Sequence, residues 1–240
     1  MGIRKSINNL ARKAGYEVVA YDPKKDHASN ALKLLSAYGI DLVFDVGAHD
    51  GRYGQWLRRH GYTGHIVSFE PVRSVYEALC AASRHDPLWQ AEHRAIGDSE
   101  QAVTINVAGN QSLSSSILDM LPAHVRIAPD SVYVGKENVG MSTIEAMVGK
   151  YCKPGDRLFL KIDVQGYEAH VLKGAEAVLD TVVGIQVELS LIPLYDGEML
   201  FLDVIGLLQE QGYALMNVTP VFRDPETGRL LQVDGMFFRP

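Results

Sequence analysis

Residues 42–51, with the sequence LVFDVGAHDG, decide the fold class of this chain. A run of five mostly apolar residues has the length of a buried strand, and it leads directly into a turn that carries Gly47 and Gly51. Residues 52–60 then show an apolar pair followed by polar side chains, and the next residue is glycine, which predicts a helix that ends there. A strand, a glycine-rich turn and a helix in this order are typical of a parallel α/β sheet.

The same alternation of strands and helices continues along the chain. The predicted strands are residues 42–46, 65–69, 90–95, 102–107, 158–163, 182–189, 213–217 and 232–238, and further helices are predicted at residues 72–83, 167–179 and 199–211. The last two strands follow each other across a turn at residues 224–228, without a helix between them, which predicts an antiparallel finish. The sequence therefore predicts an α/β fold of Rossmann-like type, with a doubly wound, mostly parallel, seven-stranded sheet and an antiparallel C-terminal strand.

Length and composition predict one main domain. The chain has 240 residues, of which 47% are hydrophobic and 22% are charged, as in globular proteins. We expect an N-terminal helical extension at residues 1–40 and an α/β domain at residues 41–240. Within that domain, residues 109–139 are rich in Ser, Asn, Gly and Pro and show no sustained period, which predicts a lid or an acceptor-binding loop.

Charge and cysteine content limit the classes of partner. The formal net charge is −6 and the basic residues are scattered, so nucleic acid is not an expected partner. Neither an apolar run long enough to span a membrane nor the apolar core of a signal peptide is present, and Cys80 and Cys152 lack metal-site spacing. We expect a cytoplasmic protein with two free thiols, acting on a small molecule; a homo-oligomer is an arrangement that the sequence leaves open.

Carboxylates end four of the predicted strands. Asp45, Glu70, Asp163 and Glu188 come at or near the carboxyl ends of these strands. In open α/β sheets, ligands bind in the crevice at that edge. The sequence therefore predicts one ligand site that these carboxylates share.

The glycine-rich turn favours a ligand without a pyrophosphate. His49 stands where the dinucleotide fingerprint G-x-G-x-x-G requires a glycine, so a nicotinamide-dependent oxidoreductase is a disfavoured alternative. Glu70 lies near the spacing at which a carboxylate accepts hydrogen bonds from the hydroxyls of a ribose. The pair Gly97 and Asp98 could hold an adenine amino group, or could form an ordinary turn.

Five sequence motifs together resemble the FkbM family of methyltransferases, which have the class I methyltransferase fold. The resemblance covers about residues 42–238, and its motifs are VFDVGAHDG (43–51), FEP (69–71), AIGD (95–98), LKIDVQGYE (160–168) and DGMFF (234–238). The family pattern is D-V-G-A-N-x-G and K-I-D-V-E-G-x-E, so His49 replaces an asparagine and Gln165 a glutamate. Both replacements keep hydrogen-bonding capacity but change the charge.

This resemblance implies a donor and a reaction. The donor would be S-adenosylmethionine (SAM), and the reaction would be O-methylation of a sugar, a glycoside, a polyketide or a related secondary metabolite. The implied donor-binding residues are Asp45, Gly47, His49, Gly51, Glu70, Pro71, Gly97, Asp98 and Asp163. A third hypothesis is a module that binds SAM or a sugar without catalysis.

A hydroxyl acceptor must lose its proton, and a positioned base typically contributes about 10²–10⁴-fold to the rate. Asp163 is the leading candidate for this base or for a metal ligand, and the predicted catalytic set is Asp163, Glu188, Lys161 and Glu168. A cluster of Asp163, Glu188 and Asp234 would suit Mg²⁺, which prefers oxygen ligands. Alternative bases are His49, His124 and His170.

Overall fold

The computed structural model describes residues 2–13, 15–16 and 27–240. Its α-helices are α1 (Gly2–Lys13), α2 (His27–Ala37), α3 (Arg52–Arg59), α4 (Arg73–Ser83), α5 (Pro122–Ile127), α6 (Ile144–Tyr151), α7 (Glu168–Lys173) and α8 (Phe201–Glu210), with short 3₁₀ helices at Pro129–Ser131 and Glu176–Thr181. The strands are β1 (Leu42–Val46), β2 (His65–Glu70), β3 (Trp89–His93), β4 (Ala95–Ile96), β5 (Gln101–Ala108), β6 (Tyr133–Ser142), β7 (Leu158–Ile162), β8 (Val182–Ser190), β9 (Ala214–Arg223) and β10 (Leu230–Phe238).

The main sheet has seven strands in the order β3-β2-β1-β7-β8-β10-β9. The first five strands in this order run parallel to one another, whereas β10 is antiparallel to both β8 and β9. The turn between β9 and β10 closes with a hydrogen bond from Asp224 N to Arg229 O. The predicted α/β fold, with its mostly parallel seven-stranded sheet and antiparallel C-terminal strand, is confirmed.

Helices cover both faces of this sheet, which explains why its central strands are apolar on both sides. All five residues of β1 and all five of β7 are buried. On one face, α6, α7 and α8 pack on a core that includes Phe44 and Leu160. On the other face, α2, α3 and α4 pack on a core that includes Phe159 and Phe238. This second face also carries the polar residues of the site.

A second sheet, absent from the sequence prediction, has the order β4-β6-β5. The prediction of irregular structure across residues 109–139 is therefore wrong from Tyr133 onward, because β6 starts there. Half of the residues of β6 are exposed, and its sequence lacks the apolar alternation that marks a strand. Helix α6, which follows it, was also missed.

Two further predicted elements are divided. The predicted strand at residues 90–95 is split at Arg94 into β3 and β4, which belong to different sheets. The predicted helix at residues 167–179 is interrupted at Gly174, whose Cα faces the carbonyl oxygen of Gly97 so closely that a Cβ would lie 1.9 Å from it. A tertiary contact therefore ends α7.

The N-terminal part of the chain contains two helices. The predicted extension at residues 1–40 includes α1 and α2, while residues 1, 14 and 17–26 of it lie outside the described residues. In the part of the chain that the structure describes, no helix combines the length and the apolar character needed to cross a membrane. Cys80 and Cys152 are free thiols, as predicted.

Candidate active site

A cleft lies at the carboxyl ends of β1, β2 and β7, and we call it the rim cleft. Its polar residues come from the turns that follow these strands, and its apolar walls come from strand ends and from the second sheet. The residues that line it are Val46, Gly47, His49, Phe69, Glu70, Pro71, Arg94, Ala95, Ile96, Ile105, Ser112, Leu113, Ser115, Ser116, Ile117, Asp163, Val164, Gln165 and Tyr167. The edge that the sequence predicted as the ligand site therefore carries a cleft.

The turn after β1 is held tightly against the neighbouring strands. Gly47 has a φ of +75°, and a Cβ there would lie 1.8 Å from the carbonyl oxygen of Asp163, so only glycine fits. The backbone N–H groups of Gly47 and Ala48 both donate to Phe69 O at 3.0 Å. This turn consequently forms a rigid floor for the rim cleft.

Glu70 at the end of β2 anchors the same turn. Its Oε2 accepts a hydrogen bond from His49 N at 2.9 Å, and its Oε1 accepts one from Val72 N at 2.8 Å. Burial raises the pKa of Glu70 to about 7, even though these two N–H groups lower it. A carboxylate has about four lone-pair sites, so each oxygen can still accept a hydrogen bond from a ligand in the cleft.

Residues 110–118, which we call the strap, close the rim cleft from above. Gln111 O contacts His49 Nε2 at 2.8 Å, Ser116 Oγ donates to Gln165 O at 2.6 Å, and Tyr195 Oη lies 3.4 Å from Ser114 O. With the strap in place the cavity measures about 100 Å³, whereas small-molecule sites typically measure about 300–1,000 Å³. A ligand of nucleoside size therefore requires the strap to move.

Strained backbone is concentrated at the rim cleft. Among the described residues, the non-glycine residues with positive φ are His49 (51°), Gln111 (60°), Ser112 (68°) and Gln165 (56°). All four belong to the rim cleft or to the strap that covers it. Such conformations persist where surrounding structure imposes them, and they cluster at functional sites.

Lys161 lies at the centre of a buried charge network beneath the cleft. Its Nζ donates a hydrogen bond to Gly47 O at 3.0 Å, and it forms ion pairs with Asp45 Oδ1 at 3.1 Å and with Asp163 Oδ2 at 3.5 Å. Burial alone would lower the pKa of Lys161, but Asp45 and Asp163 outweigh that effect and raise it. The lysine stays protonated and positions the β1 turn and Asp163, and it is not available as a base.

Asp45 supports the cleft from below and does not line it. Its side chain is fully buried, and its Oδ2 accepts a hydrogen bond from Ser68 Oγ at 3.1 Å. Asp163, in contrast, lines the cleft with a side chain that is 37% exposed. Of the two carboxylates paired with Lys161, Asp163 is the one that a ligand can reach.

Gln165 connects two of the predicted catalytic carboxylates. Its Nε2 donates to Asp163 Oδ1 at 2.8 Å and to Glu188 Oε2 at 3.0 Å, while Tyr195 Oη donates to its Oε1 at 2.8 Å. A glutamate at this position, as in the family pattern, would place a third carboxyl group beside Asp163 and Glu188 and, when ionised, could not donate to either. The Gln165 amide therefore fits this site, because it can donate to Asp163 and to Glu188 at the same time.

The other buried carboxyl groups have raised pKa values. Burial, followed by the charges of Asp163, Glu168 and Asp234, raises the pKa of Glu188 well above its ordinary value. Burial raises the pKa of Glu168 to about 8 and that of Asp234 to about 7. Neither Glu188 nor Glu168 lines the rim cleft, whereas Asp163 does. Position therefore favours Asp163 over Glu188 and Glu168 as a base.

The predicted magnesium cluster of Asp163, Glu188 and Asp234 is not found. Among residues 2–13, 15–16 and 27–240, no three His, Cys, Asp or Glu side chains converge to hold a metal ion. The Gln165 amide stands between Asp163 and Glu188, and Asp234 Oδ2 accepts a hydrogen bond from Gln186 Nε2 at 3.1 Å. One oxygen of each of the three carboxyl groups thus accepts a hydrogen bond from a side-chain amide, and no shared space for a cation is left between Asp163 and Glu188.

The remaining predicted site residues have varied positions. Pro71 lines the rim cleft, and Gly51 is the N-cap of α3 against Trp89. Gly97 is packed against Met141 and Tyr167, and Asp98 pairs with Lys173 at 3.2 Å. Glu168 Oε1 accepts a hydrogen bond from Val164 N at 3.0 Å inside the turn after β7. Gly51, Gly97, Asp98 and Glu168 are absent from the cleft lining, so their predicted roles stay predictions.

Two of the three histidines lie away from the rim cleft. His124 is buried between Tyr195 and Phe222, and burial lowers its pKa. His170 stacks on Tyr167 with 3.9 Å between ring centroids. His49 alone of the three lines the cleft.

Sequence analysis missed residues that orient the carboxylates. Tyr195 and Gln232 hold Gln165 and Glu188, and the Tyr53 ring lies 5.7 Å from Lys161 Nζ. Gln232 and Tyr195 lie far along the chain from the motifs that they support. One signal of this hydrogen-bond arrangement is visible in the sequence, because Gln165 stands where the family pattern has a glutamate.

Comparisons with known proteins agree with this architecture. The model of the Methyltransferase FkbM domain matches residues 45–215, which is more than half of the chain. Among solved structures, an FkbM methyltransferase from Methylobacillus flagellatus KT is 14% identical, with a TM-score of 0.50, over 82% of this chain and 43% of its own. Magnesium protoporphyrin IX methyltransferase (ChlM) from Synechocystis PCC 6803, with bound SAM, is 9% identical, with a TM-score of 0.47, over 99% of this chain and 95% of its own.

The extent of these matches limits what they show. This chain covers 43% of the length of the Methylobacillus protein. At 14% identity, this match shows that the two proteins share a fold and no more. No curated protein matches the chain. The matched residues 45–215, however, include Gly47, Glu70, Asp163 and Glu188 of the predicted site. The chain therefore belongs to the FkbM family of methyltransferases.

Proposed function

We propose that this chain is a SAM-dependent O-methyltransferase that acts on a hydroxyl of a sugar, a glycoside, a polyketide or a related metabolite. One observation carries the proposal. Glu70 and Asp163 line the same cleft, and they come from strand ends on either side of the β1 turn. A carboxylate suited to ribose and a carboxylate suited to proton transfer therefore share one cavity.

The residues of the rim cleft fit the chemical groups of SAM. Glu70 has acceptor capacity for ribose hydroxyls, and the side chains of Phe69, Ile96 and Ile105 provide an apolar slot for a flat adenine ring. His49 occupies the place where a pyrophosphate would need glycine, so a donor without phosphates is favoured. When bound, SAM supplies a methyl group that forms a C–O bond to the acceptor as its C–S bond breaks.

Asp163 is the residue that we propose to take the acceptor proton. Its Oδ1 accepts a hydrogen bond from Gln165 and its Oδ2 pairs with Lys161, and these two contacts orient the carboxylate. As the acceptor oxygen bonds to the methyl carbon, its hydrogen passes to the Asp163 carboxylate. Positioning the acceptor oxygen in line with the methyl group can contribute roughly 7–11 kcal/mol, so alignment and proton removal act together.

The substitution Asp163→Asn tests this proposal, because it keeps the size of the side chain but removes its charge. We expect SAM affinity, measured by calorimetry, to change little, and turnover on a panel of hydroxylated glycosides and polyketides to fall by about 10²-fold or more. Asp86→Asn is the matched control, because Asp86 pairs with Arg58 outside the rim cleft.

Each outcome has a defined meaning. Near wild-type turnover in Asp163→Asn would show that Asp163 is structural. Binding of SAM with no product from any acceptor would favour a module that binds without catalysis. Absence of SAM binding to the wild-type chain would overturn the proposed donor.

A further inference from the structure

A second cavity, which we call the side cleft, lies on the face of the main sheet that α2 and α3 cover. It measures about 350 Å³, within the range of about 300–1,000 Å³ that is typical of small-molecule sites. Its walls come from α2, α3, β8, β9 and β10. None of its lining residues lines the rim cleft, so the two cavities are distinct.

The lining of the side cleft combines aromatic rings with polar side chains. Tyr53 and Trp56 of α3 stack on each other, with 5.7 Å between ring centroids and 25° between ring planes. Gln186, Asp234 and Thr219 bring an amide, a carboxylate and a hydroxyl to the strand wall. A hydroxylated ring has the complementary chemistry, because its C–H faces are apolar and its edge carries hydroxyl donors and acceptors.

Several polar groups of this wall have spare hydrogen-bonding capacity. Within the described residues, the Thr219 hydroxyl has no hydrogen-bond partner, and the Asn217 amide has only a 4.0 Å contact from Nδ2 to Met236 Sδ. Asp234 uses Oδ2 to accept from Gln186 Nε2 at 3.1 Å, and no hydrogen bond involves its Oδ1. These groups can bind the hydroxyls of a ligand without breaking existing contacts.

Strand register places the side cleft beside the charged centre of the rim cleft. Lys161 on β7 is the register partner of Gln186 on β8, and Glu188 on β8 is the partner of Asp234 on β10. Neighbouring strands lie about 4.8 Å apart, so β10 is about 10 Å from β7. The charge of Asp163, which follows β7, acts on Asp234. A ring bound in the side cleft can therefore extend toward Asp163.

We propose that the side cleft binds the acceptor as a saccharide ring that stacks on Tyr53 and Trp56 and hydrogen-bonds to Asp234 and Asn217. The inference rests on the proposed O-methyltransferase function, because it names the acceptor class and its position. Tyr53 connects the two sites, since its ring lies 5.7 Å from Lys161 Nζ and its hydroxyl lies 3.5 Å from Gln186 Oε1. In this arrangement, Trp56 and Asn217 contact the acceptor and determine its specificity, and neither residue contacts the donor.

Tryptophan fluorescence tests saccharide binding without any turnover. The chain has two tryptophans, and Trp89 is buried with its Nε1 bonded to Ser68 Oγ, so Trp56 is the one that reports on the side cleft. Titration with a panel of methyl glycosides should change the emission of the wild-type chain. The change should disappear in Trp56→Phe, which keeps a ring but removes the indole.

Kinetics on a glycoside acceptor then locate the site. We expect Trp56→Ala and Asn217→Ala to raise the acceptor KM by about 10-fold or more, with smaller changes in kcat and unchanged SAM affinity. Asn138→Ala is the matched control, because it removes the same amide from an exposed position of the second sheet. Asn217→Ala covers the case in which Trp56→Ala destabilises the fold.

The outcomes separate this inference from the proposed function. Methylation of glycosides with an unchanged KM in both variants would overturn the side cleft as the acceptor site while leaving the methyltransferase function intact. A fluorescence response without SAM binding would leave the saccharide site and overturn the donor. If no glycoside changes the emission and none is methylated, the saccharide assignment is wrong.

Discussion

Single residues explain how this chain holds several carboxyl groups close together. Gln165 supplies two N–H bonds between Asp163 and Glu188, and Lys161 supplies its charge between Asp45 and Asp163. A buried charge without a partner is costly, so these donors are required by the carboxylates around them. The two replacements relative to the family pattern, at His49 and Gln165, both fall on residues with positive φ. Histidine is among the residues that tolerate this conformation.

At the residue scale, we predict that Glu70 makes donor binding depend on pH. Its pKa is raised to about 7, mainly by burial, so the carboxylate that would accept ribose hydrogen bonds becomes protonated as the pH falls below about 7. SAM affinity should therefore weaken from pH 8 to pH 6. Glu70→Gln should lower affinity by roughly 1.5–3 kcal/mol at pH 8 and remove most of this pH dependence.

Calorimetry at several pH values checks this prediction. Asp86→Asn serves as a control, since Asp86 pairs with Arg58 outside the rim cleft. An unchanged affinity in Glu70→Gln would move the ribose contact to another residue.

At the scale of elements, the strap controls access to the rim cleft. It lies between β5 and α5 and is held to His49, Gln165 and Tyr195, which belong to three other parts of the chain. Ser116 is its central attachment, because its backbone bridges to Asn106 and its hydroxyl reaches Gln165 O. The sequence predicted a lid over residues 109–139. We propose a lid that consists of the strap alone.

We predict that Ser116→Ala loosens the strap without unfolding the sheet. The Ser116 hydroxyl donates to Gln165 O and accepts from Leu118 N, so the substitution removes two hydrogen bonds. At about 0.5–1.5 kcal/mol each, their loss should accelerate amide hydrogen exchange in residues 111–117 by roughly 5–150-fold. SAM should also dissociate faster, because the strap must open for release.

Hydrogen exchange with mass spectrometry and stopped-flow binding measure these effects. Thr227→Ala removes a hydroxyl from the exposed turn between β9 and β10, and it should leave exchange in the strap unchanged. Equal strap exchange in wild-type and Ser116→Ala chains would contradict a lid.

At the scale of the whole molecule, the buried carboxyl groups make stability depend on pH. Burial raises the pKa of Glu168 to about 8, and those of Glu70 and Asp234 to about 7, from ordinary values near 4. The folded chain therefore binds more protons than the unfolded chain at intermediate pH, so these groups stabilise it at low pH and lose that effect as the pH rises. His124 acts in the opposite direction below about pH 6.5, because burial lowers its pKa.

We predict that the free energy of unfolding falls as the pH rises from about 6.5 to about 8. Glu168→Gln should reduce this slope, because its amide cannot lose a proton in that range. Asp98→Asn should leave this slope unchanged, because the Asp98 pKa is lowered: desolvation would raise it, but the hydrogen bonds from Lys173 and Ser99 outweigh that effect. The stabilisation that Asp98 contributes is therefore constant from pH 6.5 to pH 8 and is lost only at acidic pH.

Urea unfolding at a series of pH values measures these slopes. A free energy of unfolding that rises steadily from pH 6.5 to pH 8 in the wild-type chain would show that these carboxyl groups are not protonated in the folded state.

The sequence by itself determined the main sheet, because its signals are local. Apolar runs such as Leu42–Val46 mark strands that are covered on both faces, and the turn before Leu230 marks the final hairpin. The strand-end positions of Glu70 and Asp163 follow from the same alternation, since parallel strands bring their carboxyl ends to one edge.

Only the tertiary structure decided which side chains meet at that edge. The Gln165 bridge, the Lys161 network and the side cleft join residues from separate elements, so no local pattern encodes them. β6 was missed because half of its residues are exposed, and pairing with β5, not an apolar pattern, makes this segment a strand. The predicted magnesium cluster failed for the same reason: an amide from the turn after β7 fills the space between two carboxylates that the sequence could only place on one edge.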